Sequence, residues 1–227
     1  MCIRDRPDTL IKFQVIDDNS SDENLKKLKD LINTHGIDCE IINHDKSEHK
    51  EKIAAENNQE TFGNLSSLLK CFEVAKKDQS DLIYFVEDDY LHYEHSLVDM
   101  LNTYERVSSQ HKDEIIVCPS DYPFNYMNNE KTNILIGSQQ HWRTITKMLC
   151  TFMISKKMFQ KYIDNFEKTC EKRHEPFEKY LNKILESEIG ISPIKSLAIH
   201  MTNVNSSYGL SPFIDIKKLW EKNKIDQ

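Results

Sequence analysis

The chain has 227 residues, 38 % of them hydrophobic and 30 % charged, with a formal charge of −7 and a pI near 5.7. That length and balance fit one large globular domain with a real core, and only 5 Gly and 6 Pro exclude a fibrous or low-complexity chain. The acidic balance argues against nucleic acid as a partner, and no apolar run reaches the ~18 residues of a membrane span.

In chain order, Met1–Arg6 lacks the apolar stretch of a secretory signal and reads as a non-native scar before a single domain over 7–227. The six cysteines form no CxxC pair, which reads as a reducing, cytoplasmic setting. Residues 9–17 predict a strand that breaks at Asp17-Asp18-Asn19-Ser20. Ser21 or Asp22 caps a helix in which Leu25, Leu28, Leu31 and Ile32 recur at helical spacing, and His35-Gly36 ends it. Residues 37–43 predict a second strand, and 44–60 a polar, weakly helical surface segment. A helix is expected from Asn64 or Ser66 to Lys77, then a strand over 81–86 that closes in Glu87-Asp88-Asp89. A helix over 95–108, strands over 114–118, 134–136 and 151–154, helices over 155–166 and 175–188, and a short strand 197–199 before His200 follow, with a small terminal helix. Strand and helix alternate at the front, which predicts a parallel sheet.

Two strands therefore end in carboxylates, and in an open α/β sheet that edge is where ligands bind. Carboxylates gathered there suit a hard divalent cation together with phosphates. An Asx turn accounts equally well for Asp17-Asp18 taken alone. Three adjacent acids at 87–89 repel one another unless a cation joins them.

The segment VIDDNSSDENL, followed by GNLSSLLKCFEVAKKDQSDLIYFVEDDYLH, resembles the family 2 type of GT-A glycosyltransferase, and the resemblance extends over about residues 9–200. It implies an α/β, Rossmann-like GT-A fold with a mixed, mostly parallel sheet flanked by helices. It implies that Asp17 and Asp18 hold the nucleoside, and that Glu87, Asp88 and Asp89 stand as the DxD motif. Asp89 is then a metal ligand, Glu87 fills the first slot of the motif, and Asp88 lies near ribose or metal. His200 follows an apolar strand, where many GT-A enzymes complete the metal site; a capping or core histidine is the other reading. An imidazole ligand tilts the cofactor from Mg²⁺ toward Mn²⁺.

The implied reaction moves a sugar from a nucleoside-diphosphate donor, UDP favoured, to a hydroxyl of a glycan or other acceptor, with inversion. It needs a general base. Glu175 and Glu178 are the candidates, although Cys170–Glu178 departs from the family's acidic motif. Pro176 suits a first helical position and favours Glu175, whereas plain helix-dipole charge accounts for either residue. Trp142 could stack on a sugar and Arg143 could bind phosphate, or Trp142 could be core. Gly63-Asn64 ahead of a helix could face phosphates, and Lys70 sits where the family often has a basic residue. The family's first strand does not fit before Val15, so a truncated chain with altered sheet pairing, reduced stability and weak activity is expected. The competing functions are a nucleotidyltransferase and a non-catalytic carbohydrate- or protein-binding domain.

Overall fold

A computed structural model describes residues 10–53, 56, 58–127, 129–205 and 214–224. In chain order the elements are β1 (Phe13–Asp17), α1 (Asp22–His35), β2 (Cys39–Asn43), α2 (Gln59–Lys77), β3 (Leu82–Phe85), β4 (Tyr90–His92), α3 (Ser96–His111), β5 (Ile115–Val117), β6 (Ile134–Ile136), β7 (His141–Ile145), β8 (Phe152–Ser155), α4 (Lys156–Lys161), α5 (Ile163–Thr169), α6 (Lys179–Ile184), β9 (Ile189–Pro193), β10 (Ala198–His200) and α7 (Ile216–Asn223). The protein is α/β, with a mixed six-stranded sheet flanked by helices. The domain expected over 7–227 is built of two compact units. One runs to Asp78 and includes Ile163–Lys179; the other holds Gln79–Tyr162 and the described residues from Tyr180 onward. The segment expected to be a scar lies outside the described residues, as does the place of the family's first strand.

In the N-terminal unit, β1 and β2 pair in parallel, with Phe13 opposite Cys39 and Asp17 opposite Asn43. Parallel partners need a crossover, and α1 supplies it. Ser21 caps α1 by accepting the Asn24 N–H, and Gly36 closes it in the left-handed conformation at φ 59°. Helix α2 starts earlier than expected. Asn58 accepts the Thr61 N–H and opens the helix at Gln59, so Gly63 falls inside it. Segment 44–60 is largely exposed with a 3-10 turn over Lys46–His49, as expected, but among its described residues His44, His49 and Ile53 are buried. Phe72 of α2 meets Phe166 of α5 edge to face at 5.1 Å.

The sheet unit carries the strand order β3-β8-β5-β9-β7-β6. The mostly parallel sheet expected is corrected here: only β5 and β9 pair in parallel, and the other four pairings are antiparallel. The turn between β6 and β7 is too short for a crossover, and such a connection forces antiparallel pairing; the other three antiparallel pairs join strands distant in sequence. Two strands absent from the expectation, β7 and β9, complete the sheet. Met100, Tyr104 and Val107 of α3 recur on one face and bury against Ile115, Val117, Trp142, Met153 and Ile191. The helix expected over 155–166 breaks at Tyr162 into α4 and α5, and the one expected over 175–188 is shortened to α6. Strands β4 and β10 pair separately, with Tyr90 opposite His200. Among the described residues no helix is long and apolar enough to cross a membrane.

Candidate functional site

The sheet unit brings Asp89 and His200 together. Strand β10 pairs with β4 so that His200 stands beside Tyr90, and the Met201 N–H donates to the Asp89 carbonyl at 2.9 Å. The His200 Nε2 lies 2.8 Å from Asp89 Oδ2. The Tyr90 ring stacks on the imidazole, with centroids 4.8 Å apart and planes at 14°. Tyr90 is itself buried and shares a 2.9 Å hydrogen bond with the Tyr122 hydroxyl. The Thr202 hydroxyl lies 3.0 Å from His200 Nδ1, so Nε2 carries the proton toward Asp89 when Thr202 donates to Nδ1.

Asp89 Oδ1 is buried and accepts no hydrogen bond from a described residue. A carboxylate oxygen without a donor, beside an imidazole, is a donor set that fits an oxygen- and nitrogen-binding divalent cation. Glu87 is occupied differently. Its N–H donates to Thr151 Oγ1 at 3.0 Å, and that hydroxyl donates to Glu87 Oε2 at 3.2 Å. Asp88 is exposed. Among the described residues no three His, Cys, Asp or Glu side chains gather as a metal cluster.

Trp142 and Arg143 are corrected. Trp142 is wholly buried in the core under α3 and has no open face for a sugar. The alternation of β7 turns it inward, and the polar neighbours that suggested a binding loop are strand residues. Arg143 pairs with the buried Asp121 at 3.1 Å and lies over the Tyr126 ring at 4.3 Å, while the Tyr126 hydroxyl donates to Asp121 Oδ2 at 2.5 Å. Its charge is thus matched within the fold. Asp121 also follows a strand, β5, and that position was its sequence signal.

In the N-terminal unit the two acids at the end of β1 separate. Asp17 is buried; its Oδ1 accepts the Ser20 N–H at 3.3 Å and its carbonyl accepts the His44 N–H at 2.9 Å. It fixes the turn, in which Asn19 takes a φ of 62°. Asp18 instead meets Lys46 through Oδ2 at 2.8 Å, while its Oδ1 is buried and accepts no hydrogen bond from a described residue. Helix α2 passes close by: a Cβ on Gly63 would stand 3.2 Å from Lys46 Nζ. Lys70 is paired with Glu48 at 2.9 Å.

Behind this turn runs a buried chain that the sequence did not suggest. His44 Nε2 lies 2.8 Å and His49 Nδ1 2.9 Å from Ser66 Oγ, and His49 Nε2 lies 3.2 Å from Glu73. Burial acts to raise the Glu73 pKa, but hydrogen bonds from Lys52 and His49 outweigh it and hold the carboxyl below its ordinary value. In the tautomer that directs His49 Nε2–H to Glu73, the other hydrogen bonds follow in order: Ser66 O–H to His49 Nδ1, then His44 Nε2–H to Ser66. His44 Nδ1 is then a bare acceptor, and it is buried without a hydrogen-bond partner among the described residues. Burial, and then the neighbouring His49, lower the His44 pKa.

Glu175 and Glu178 line one cavity of about 430 Å³ in this unit. Helix α6 begins at Lys179, after the Lys179 N–H has closed a turn on the Pro176 carbonyl, so Glu175 is not the helix-start residue expected. Burial, with a smaller contribution from Glu175, raises the Glu178 pKa. Comparison with protein-family models and with curated proteins returns no match.

Proposed function

We propose that the protein is a metal-dependent glycosyltransferase of the GT-A type, moving a sugar from a nucleoside-diphosphate donor to an acceptor hydroxyl with inversion. The observation that carries this reading is the Asp89–His200 pair, 2.8 Å apart, with the second Asp89 oxygen buried and without a donor among the described residues. These two residues would hold a divalent cation, Mn²⁺ before Mg²⁺, through the Asp89 carboxylate and the His200 imidazole nitrogen. That cation, when bound, supplies positive charge to the departing diphosphate. Asp18 presents a carboxylate to the nucleoside, with Lys46 holding one of its oxygens and Asp17 holding the turn. A uridine nucleotide is the favoured donor.

We assign the base to Glu178 over Glu175. Burial raises the Glu178 pKa, which makes its carboxylate a stronger base for a hydroxyl proton. The acceptor O–H gives its proton to Glu178, its oxygen bonds to the anomeric carbon, and the bond from that carbon to the diphosphate breaks, the electron pair leaving with the diphosphate.

A thermal-shift titration tests this. UDP with Mn²⁺ should raise the Tm of the parent chain, EDTA should reverse the rise, and Asp89→Ala should abolish it. No rise in the parent, or the same rise in Asp89→Ala, sinks the reading.

A further inference from the structure

Strand β6 closes the six-stranded sheet on one side, and no described strand pairs with its outer edge. Its bonds to β7 decide which backbone groups face that edge. The Thr144 N–H donates to the Asn133 carbonyl and the Gly137 N–H to the Gln140 carbonyl, each at 3.0 Å. Between these bonds Ile134 stands opposite Arg143, Leu135 opposite Trp142 and Ile136 opposite His141. Bonded pairs alternate along an antiparallel ladder, so Leu135 bonds toward β7, whereas Ile134 and Ile136 turn their N–H and C=O outward. None of these outward groups hydrogen-bonds to a described residue.

The side chains alternate too. Leu135 packs against the core that holds Trp142, while Ile134 and Ile136 stand on the other face, 57 % and 59 % exposed. Arg143, opposite Ile134, shares that face, and its guanidinium lies against the exposed Tyr126 ring. Proteins blunt an open edge with charge, proline or a covering element. Ile134-Leu135-Ile136 carries neither charge nor proline, and both isoleucines lie open.

The edge is also self-complementary. Its outward groups sit symmetrically about Leu135. A second copy placed antiparallel, with a two-fold axis at Leu135, sets Ile134 against the partner's Ile136 and Ile136 against the partner's Ile134. Both are bonded positions, so each pair exchanges both N–H···O=C bonds, and isoleucine meets isoleucine on the exposed face. Beyond them Asn133 meets the partner's Gly137, so no like charges face each other. A contact of this symmetry closes on itself and stops at the dimer. We propose that β6 is an interface through which two copies of this chain pair edge to edge, with their sheets continuous across the axis. The pairing is independent of the metal site and of the transferase reading.

Sedimentation of the full chain from about 1 to about 200 µM tests it. The mass should rise from 26.8 kDa toward twice that value. Ile134→Lys/Ile136→Lys brings like charges together and should weaken association about tenfold or more. Ile134→Lys/Ile136→Glu sets opposite charges together in this register, and like charges together if each residue meets its own copy. It should recover the dimer at low salt and lose it at high salt. Both positions are exposed, so both variants should keep the parent's Tm in dilute solution. Hydrogen exchange on the parent needs no substitution: the Ile134 and Ile136 amides should slow as the concentration rises. A parent that stays monomeric and unprotected across the range overturns the interface and leaves the edge to a strand of another protein. A dimer that persists in the first variant places the contact elsewhere and overturns it as well. Failure of the second variant to recover what the first loses overturns the pairing about Leu135.

Discussion

Tyr90 is held at both ends, its hydroxyl by Tyr122 and its ring against His200. The stack fixes the plane in which the imidazole can turn, so Tyr90 acts as a positioning residue for the pair with Asp89. Tyr90→Leu should weaken Mn²⁺ binding by about tenfold, the lower end of what an orienting partner of a metal ligand contributes, and Tyr90→Phe should restore it. A Mn²⁺ titration by electron paramagnetic resonance on both variants checks this; equal weakening by Leu and Phe would show that the hydroxyl, not the stack, matters. His44 gives a pH prediction. Its folded pKa lies below its unfolded value near 6.5, so the stability linked to its neutral form is complete above that pH and is lost as the pH falls through it. Asp18 and Glu48 oppose that shift, whereas His49 and Lys70 reinforce it. Between pH 6.5 and 5 the unfolding free energy should fall with a slope of at most about 1.4 kcal/mol per pH unit from this residue. Urea denaturation of His44→Gln, which keeps an N–H for Ser66 and does not titrate, should show a shallower slope than the parent.

At the scale of elements, local signals succeeded where capping chemistry dominates. Helix α1 was legible from Ser21 to Gly36 because both ends are set by residues next to it in sequence. Helix α2 was misplaced because Gly63-Asn64 read as a start signal, whereas Asn58 makes the cap. Asn58→Ala should therefore cost about 1 kcal/mol in urea unfolding, and Asn64→Ala should lose no cap. Strand β7 was hidden by its polar residues, although Trp142 on it is a core side chain. The turn before it depends on Gly137, where a Cβ would stand 2.2 Å from the Trp142 ring. Gly137→Ala should destabilise the fold by about 1–3 kcal/mol through forced displacement of that ring, read as a lower urea midpoint. No loss would mean that the indole shifts freely.

For the whole molecule, the two acidic strand ends belong to separate compact units, Asp18 to one and Asp89 to the other. Hydrogen exchange over the full chain tests whether the metal chemistry is confined as proposed. Mn²⁺ alone should slow amide exchange in β4 and β10, around Tyr90 and His200, and leave the segment around Asp18 and His44 unchanged. Asp89→Ala should erase the effect. Protection that appears instead around Asp18 would move the metal to the other unit.

The sequence by itself determined which strands end in carboxylates, the limits of α1, and the candidacy of Asp18, Asp89, His200 and Glu178, because those signals lie within a few residues of one another or in a motif order. Only the tertiary structure decided which acids turn inward. Asp17 serves its turn, Glu87 is taken by Thr151, Arg143 by Asp121, and Trp142 by the core, while Asp18 and Asp89 each keep a buried oxygen without a donor among the described residues. The physical reason is that a polar side chain's role depends on whether the fold satisfies it, and its partners come from strands distant in sequence. Sheet direction was settled in the same way, by long-range pairing that alternation of strand and helix at the front of the chain did not determine.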